Sequence, residues 1–246
     1  PYLAGNLPHR NEHIAWAESS AVSFANSVIG ARTNREGGPS ALAAAITGRT
    51  PKYGLHLPEN RTPTHRIDVE ADLQSGADFA ALGSWTGRIV EDGKPYFDGI
   101  DRASTDELKG LGAAMAATGA VALHFVGGVT TEMDPPTDVQ SVTFEQSDLE
   151  AEYEELTDTE DTDLIVFGCP HASVEEIQEV AEHLECERLD RDLWVCTSRA
   201  VKSWADRMGY TETIESAGGM VLSDTCNAVA PIQELGHEST ATDSAK

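Results

Sequence analysis

Four cysteines carry most of the chemical potential of this chain: Cys169, Cys186, Cys196 and Cys226. No two of them form a CxxC pair. Cys169 follows the apolar run Leu164-Ile-Val-Phe-Gly168, and Cys226 follows Gly219-Met-Val-Leu-Ser223. Each therefore stands just past the end of a predicted strand. Ligands of an open parallel sheet bind beyond the carboxyl ends of its strands. The two thiols are thus expected at one crevice, although 57 residues separate them. Such a pair suits an iron–sulfur or zinc site, or a catalytic thiol, with His171 and Asp224 close to both. The plainer alternative is two unrelated half-buried cysteines. Cys196, inside a strand, and Cys186, at a strand entrance, read as buried, inert thiols. Zinc wants four protein ligands, or three and a water. A cluster with one iron lacking a protein ligand wants three cysteines, so this rim needs a third thiol from elsewhere.

Two further groups attract attention. Glu18 falls on the apolar stripe of a predicted helix, four residues after Ile14 and four before Val22. A carboxylate there reaches water, finds a partner, or sits in a site. Arg32 and Arg35 precede Gly37-Gly38, whose small residues let the backbone approach a ligand, and a helix start favours an anion. A capped surface helix with solvated arginines explains the same residues.

The elements that must position these groups follow from periodicity. Residues 1–8 read as loop and 9–29 as helix, with Gly30 as its stop. A polar loop, 31–40, feeds a helix over 41–47 with Ser40 as N-cap. Residues 51–64 hold three prolines and read as loop. Helix-like stretches cover 65–81 and 104–118, and 120–126 reads as a buried strand. Ten of the nineteen residues 145–163 are acidic and none is basic. From 163 onward the pattern is strand, helix from near Ser173, strand at 193–197, helix Arg199 to Met208, and strand at 219–223. That order is a parallel βαβαβ unit. The fold class is α/β, and the division is expected at 118/119: a helix-rich part over 1–118 and a parallel α/β domain over 119–246 carrying the cysteines.

Composition narrows the function classes. The chain has 246 residues, 42 acidic against 17 basic, and a net charge of −25. Such a surface repels phosphate backbones, and no basic patch argues for nucleic acid. No run of about 18 apolar residues suggests a membrane span. Only five of the basic residues are lysine. A heavy acid load with few lysines points to adaptation to high salt, where screening removes self-repulsion. The chain starts at Pro1 without an apolar leader, and we expect a fragment of a longer cytoplasmic protein.

Several blocks resemble one family. They are Pro1-Tyr2, Ala17-Glu18-Ser19-Ser20, Gly30-Ala-Arg-Thr-Asn-Arg-Glu-Gly-Gly-Pro-Ser40, Gly48-Arg-Thr-Pro-Lys-Tyr-Gly54, Gly168-Cys-Pro-His171, Asp224-Thr-Cys226 and Thr242-Asp-Ser-Ala-Lys246. In this order they resemble the large, catalytic subunit of the aconitase X family. That family includes archaeal phosphomevalonate dehydratase and bacterial cis-3-hydroxy-L-proline dehydratase. The resemblance implies an aconitase-like α/β fold and a hydro-lyase. Its first reading is dehydration of (R)-5-phosphomevalonate to trans-anhydromevalonate 5-phosphate in the modified mevalonate route. The alternative substrate is cis-3-hydroxy-L-proline, and a non-catalytic module with a structural metal is the alternative of another class.

The resemblance also implies site residues. An iron–sulfur cluster, of the [4Fe-4S] type, would take Cys169 and Cys226 as ligands, with a third cysteine lying before Pro1. Glu18, Ser19 and Lys246 would bind a small anionic substrate. The base, a serine, would belong to a small swivelling subunit, so no catalytic base is expected in this chain. Folding should bring Glu18, Ser19 and Lys246 to the rim of the two thiols.

Overall fold

Two four-stranded parallel sheets organise the residues that the computed structural model describes, 5–159 and 161–246. The Pro1-Tyr2 motif, the first half of the expected opening loop, and Glu160 of the acidic run lie outside the described residues. The chain packs as two units. One comprises 8–156 with 245–246, and the other 1–7 with 157–244. The sequence reading divides the chain at 118/119, whereas packing divides it after Leu156, because two later strands join the first sheet.

In the unit built on 8–156, strand β1 (His65–Val69) pairs with β2 (Pro95–Asp98) and β4 (Gln140–Phe144), and β3 (Phe125–Val126) pairs with β2. β1 alternates: Ile67 and Val69 are buried, while Arg66 and Asp68 form an ion pair on the other face. That period of two is a strand signature, so the helix expected over 65–81 is corrected to β1 followed by helix α3 (Gly76–Val90). α3 and α4 (Thr105–Thr118) each begin with a capping box, Ser75 with Asp78 and Ser104 with Glu107. They pack closely because α3 offers glycines. A side chain on Gly83 would reach the Leu111 carbonyl at 2.5 Å. Ile67, Phe97, Leu82, Leu111, Met115 and Phe144 form the core. The acidic stretch becomes helix α5 (Gln146–Leu156), whose buried Glu152 pairs with Arg88.

The expected long helix over 9–29 is largely corrected. Only α1 (Ser19–Phe24) is α-helix, continued by a π turn over Ala25–Ile29 and stopped by Gly30 at φ 77°. Residues 11–16 spend their backbone groups elsewhere. The Ile14 amide donates to the Arg32 carbonyl at 3.0 Å, and the Arg32 amide to the Glu12 carbonyl at 2.8 Å. Ser40 is not an N-cap. Helix α2 (Gly38–Thr47) starts three residues earlier, with Gly37 as its N-cap, and the Ser40 hydroxyl donates to Glu36 Oε2 at 2.6 Å. Of the strand expected over 120–126 only Phe125–Val126 pairs, because the His124 amide donates to Ser27 Oγ instead of a strand neighbour.

The second unit follows the βαβαβ expectation. β5 (Leu164–Ala172), β6 (Asp192–Thr197) and β7 (Met220–Ser223) are parallel neighbours, and β8 (Thr240–Thr242) adds to the free side of β5. Helix α6 (Val174–His183) joins β5 to β6. α7 (Arg199–Met208) and α8 (Tyr210–Ala217) join β6 to β7. The central strands are buried on both faces. Leu193 and Val195 meet α6, α7 and α8, whereas Trp194 and Cys196 pack with Leu164 and Val166 on the other side. Double-sided burial explains the continuous apolar runs. Helix α8 and strand β8 escaped the sequence reading, the second because it has only three residues.

Candidate functional site

Each unit carries one group of chemically able side chains. In the unit of 157–244, the strand β5 is interrupted. It pairs with β6 up to Phe167 opposite Val195, then shifts register, and resumes with Ala172 opposite Thr197. Gly168, Cys169, Pro170 and His171 form the excursion between. Cys169 therefore sits in a bulge within the strand and not past its end, as the apolar run suggested. Gly168 permits this at φ 100°, since a side chain there would collide with the Cys196 carbonyl oxygen. Cys226 does lie past a strand, three residues beyond β7. Both are half-buried.

The two excursions are tied together. The His171 Nε2 is 3.0 Å from the Thr225 carbonyl oxygen, which can only accept, so that nitrogen carries the hydrogen. The Ser244 hydroxyl donates to the Cys169 carbonyl. Asp224, at φ 60°, donates its amide to the Thr197 carbonyl and accepts the Arg199 amide on Oδ1. Cys196 lies fully buried beneath. Burial first, then the nearby Cys226 and Cys169, push its thiol up to about 11. Cys196 is thus neutral and packed, as expected, and close enough to the other two to feel their charge. The expected burial of Cys186 is corrected: it is exposed at φ 66°, because it lies in the turn after α6, before β6 begins at Asp192. Among the described residues no group of three His, Cys, Asp or Glu could hold a metal ion. Cys169 and Cys226 are donors of the kind a thiolate-bound iron centre takes, and the two alone do not complete such a site.

In the unit of 8–156, Glu18 is the N-cap of α1 and not a member of its apolar stripe. Its carboxylate accepts from the Ser20 amide at 3.1 Å, the Ala21 amide at 2.7 Å and the Ser20 hydroxyl at 2.6 Å. Lys246, from the last residues of the chain, donates to Glu18 Oε1 at 2.5 Å and to Ser20 Oγ at 2.9 Å. Burial raises the carboxyl's affinity for a proton, but Lys246, Ser20 and Ala21 outweigh it and hold Glu18 at about 2. The structure thus brings Glu18 and Lys246 into contact. The serine between them is Ser20, which is buried. Ser19 is half-buried and leads helix α1.

The sequence reading missed what fixes α1. Asn26, buried in the π turn, donates to the Thr33 and Ala122 carbonyls, each at 2.9 Å, and accepts the Thr33 amide. Arg61 donates to both the side-chain and main-chain oxygens of Asn26 at 2.9 Å. Burial, then neighbouring Arg32, lower Arg61 to about 10. The distinctive stretch 31–36 is thereby a packed polar hub. Arg32 donates to the His56 carbonyl and to Asn11, so it serves structure in place of the free anion site that its spacing suggested. A buried polar residue in a helix flanking a Gly-Ala-Arg-Thr-Asn loop was the available signal.

Fold and side chains together define a parallel α/β protein with two half-buried thiols in one unit and a lysine-clamped carboxylate in the other. Three family models tile the chain: the aconitase X first domain over 1–59, the second domain over 63–154 and the third domain over 162–246. The chain belongs to the aconitase X family. It is 57 % identical to the phosphomevalonate dehydratase large subunit of Methanothermobacter thermautotrophicus, covering all of this chain and 62 % of that protein. The large subunit from Methanocaldococcus jannaschii is 51 % identical over all of this chain and 64 % of its own length. The crystal structure of Thermococcus kodakaraensis aconitase X in its holo form superposes with a TM-score of 0.95 at 49 % identity, covering 100 % of this chain and 65 % of that one. The cis-3-hydroxy-L-proline dehydratase of Pseudomonas aeruginosa is 33 % identical over all of this chain and 45 % of its own. The chain thus spans under two thirds of the relatives it matches.

Proposed function

We propose that this chain is part of the large subunit of a phosphomevalonate dehydratase, a hydro-lyase that removes water from (R)-5-phosphomevalonate to give trans-anhydromevalonate 5-phosphate. The observation that carries the reading is the Glu18–Ser20–Lys246 cluster. It holds an ionised carboxylate, a hydroxyl and an ammonium ready for an anionic, hydroxylated substrate. The higher identity to the archaeal large subunits than to the hydroxyproline enzyme favours this substrate over cis-3-hydroxy-L-proline.

Cys169 and Cys226 would hold an iron–sulfur cluster, with the third thiolate supplied from outside the described residues. When bound, an iron centre supplies a Lewis acid for the leaving hydroxyl and a carboxylate oxygen of the substrate. Lys246 binds an anionic end of the substrate as a compact point charge. Glu18, kept ionised, accepts from a substrate hydroxyl, and Ser19 at the start of α1 donates to a second oxygen. The binding of remote groups positions the reacting carbon. The elimination balances: a base takes the proton from the carbon beside the carboxylate, the C–H electron pair forms the double bond, the C–O bond breaks, and the departing hydroxide takes up one proton to leave as water. The proton acceptor is the serine of a small swivelling subunit. No described helix is long and apolar enough to cross a membrane.

The test uses the whole protein, loaded with iron and combined with its small subunit, on both substrates. Turnover of phosphomevalonate with loss of a water is expected. Turnover of cis-3-hydroxy-L-proline alone would replace the first substrate with the second. Turnover of neither by an iron-loaded complex would leave a metal-holding module.

A further inference from the structure

We propose that His171 is a positioning residue that fixes the spacing of the Cys169 and Cys226 thiols for the metal they share, an inference that rests on the ligand reading above. Neither thiol is placed by the sheet itself. Cys169 lies in the excursion where β5 leaves its register with β6, and Cys226 lies three residues past β7. Ladder hydrogen bonds stop short of both, so cross-links between loops must set their separation.

Two of the links run to β6. The Thr197 hydroxyl donates to the Ala172 carbonyl at 2.6 Å, and the Asp224 amide donates to the Thr197 carbonyl at 2.8 Å. They fasten the far end of one excursion and the near end of the other to a common strand. His171 makes the direct tie. It is two residues after Cys169, and its Nε2 donates to the carbonyl of Thr225, the residue before Cys226. A hydrogen bond of 3.0 Å between a ring and a main-chain oxygen joins the peptide segments that carry the two sulfurs. Opposite it, Ser244 holds the Cys169 carbonyl, so the excursion is gripped at the cysteine and beyond it. The imidazole suits the task because it reaches across the bulge with a rigid ring and presents its donor at a fixed tautomer. Partners that orient ligands in this way are typically worth 10–100-fold in metal affinity.

The experiment measures iron release from the whole, iron-loaded protein to a chelator, together with the thermal midpoint of each variant. His171→Leu keeps bulk without a donor, and His171→Ala removes both. His171→Gln restores an N–H that can reach the Thr225 carbonyl. Release at least about tenfold faster from the Leu and Ala variants is expected, with unchanged midpoints and recovery in the Gln variant. The same release rate in His171→Leu as in the unsubstituted protein would overturn the inference, as would a Gln variant no better than Leu. Cys169→Ser and Cys226→Ser are measured alongside. If these also keep their iron, it is the ligand reading that fails. If they lose it while His171→Leu does not, only the positioning role fails.

Discussion

Replacing Lys246 by methionine isolates the electrostatics of the carboxylate cluster, because the apolar stem is kept and the ammonium is lost. In the intact chain the ammonium lies 2.5 Å from Glu18 Oε1 and 2.9 Å from Ser20 Oγ. Burial works against the ionised carboxylate, yet Lys246 and the α1 donors bring it from 4.5 to about 2. Taken at face value that shift equals about 3 kcal/mol of differential stabilisation. The Glu18 side chain is 53 % exposed, so solvent screening cuts the figure to about 1 kcal/mol. Part of this stays with the Ser20 and Ala21 amides, which the substitution leaves in place.

We therefore expect Lys246→Met to lose about 0.5–1 kcal/mol at neutral pH. Glu18 binds its proton more weakly in the folded state than in the unfolded one. Its stabilisation is complete above 4.5 and disappears as the pH falls toward about 2. Urea unfolding of both proteins across that interval reads the difference, and NMR titration of Glu18 reads its cause. The carboxyl should titrate higher in the variant, toward its ordinary value. A stability difference that stays constant down to the lowest pH would refute the reasoning, since it would show that the lysine acts through packing and not through charge on Glu18.

The remaining expectations concern other parts of the molecule. Cys169→Ser or Cys226→Ser in the whole protein should abolish bound iron by metal analysis, whereas Cys186→Ser should leave it intact. Cys196→Ser should also leave it, at a packing cost of about 1–3 kcal/mol by chemical denaturation, because that thiol is fully buried. Asn26→Ala should cost about 2–4 kcal/mol and speed amide exchange at Thr33, because it strips partners from Thr33, Ala122 and the Arg61 guanidinium. A net charge of −25 should make the melting temperature climb between 0.1 and 3 M KCl, as the Debye length contracts from about 10 Å to below about 3 Å. A midpoint indifferent to KCl would argue against salt adaptation.

What the sequence conveyed depended on how each strand is buried. In the unit of 157–244 the central strands are covered on both faces, so Leu164-Ile-Val-Phe and Leu193-Trp-Val-Cys stand out as apolar runs, and the βαβαβ order follows from them. In the other unit β1 has one apolar face, and only Ile67 and Val69 mark it against charged neighbours. Five residues of alternation were outweighed by the helical pattern of α3 beside them. β2 is shorter still and gains its stability from partners far along the chain, which no local window contains.

Glu18 shows the same limit at the level of a single side chain. Its residue type flagged it correctly, because an acid beside small and apolar neighbours needs a partner. Its placement was misread because helical periodicity continues unbroken from Ile14 to Val28. Hydrogen bonds from residues 11–16 to the 30–36 segment end the helix at Ser19 and turn Glu18 from a stripe position into a cap. That change alters the chemistry. A carboxylate on a buried stripe would hold its proton more tightly, whereas a capping carboxylate faces two amides, a hydroxyl and Lys246, and is kept ionised. In the folded chain Glu18 is a fixed negative charge paired with a lysine. A carboxylate held ionised in this way is suited to binding and alignment and not to proton transfer.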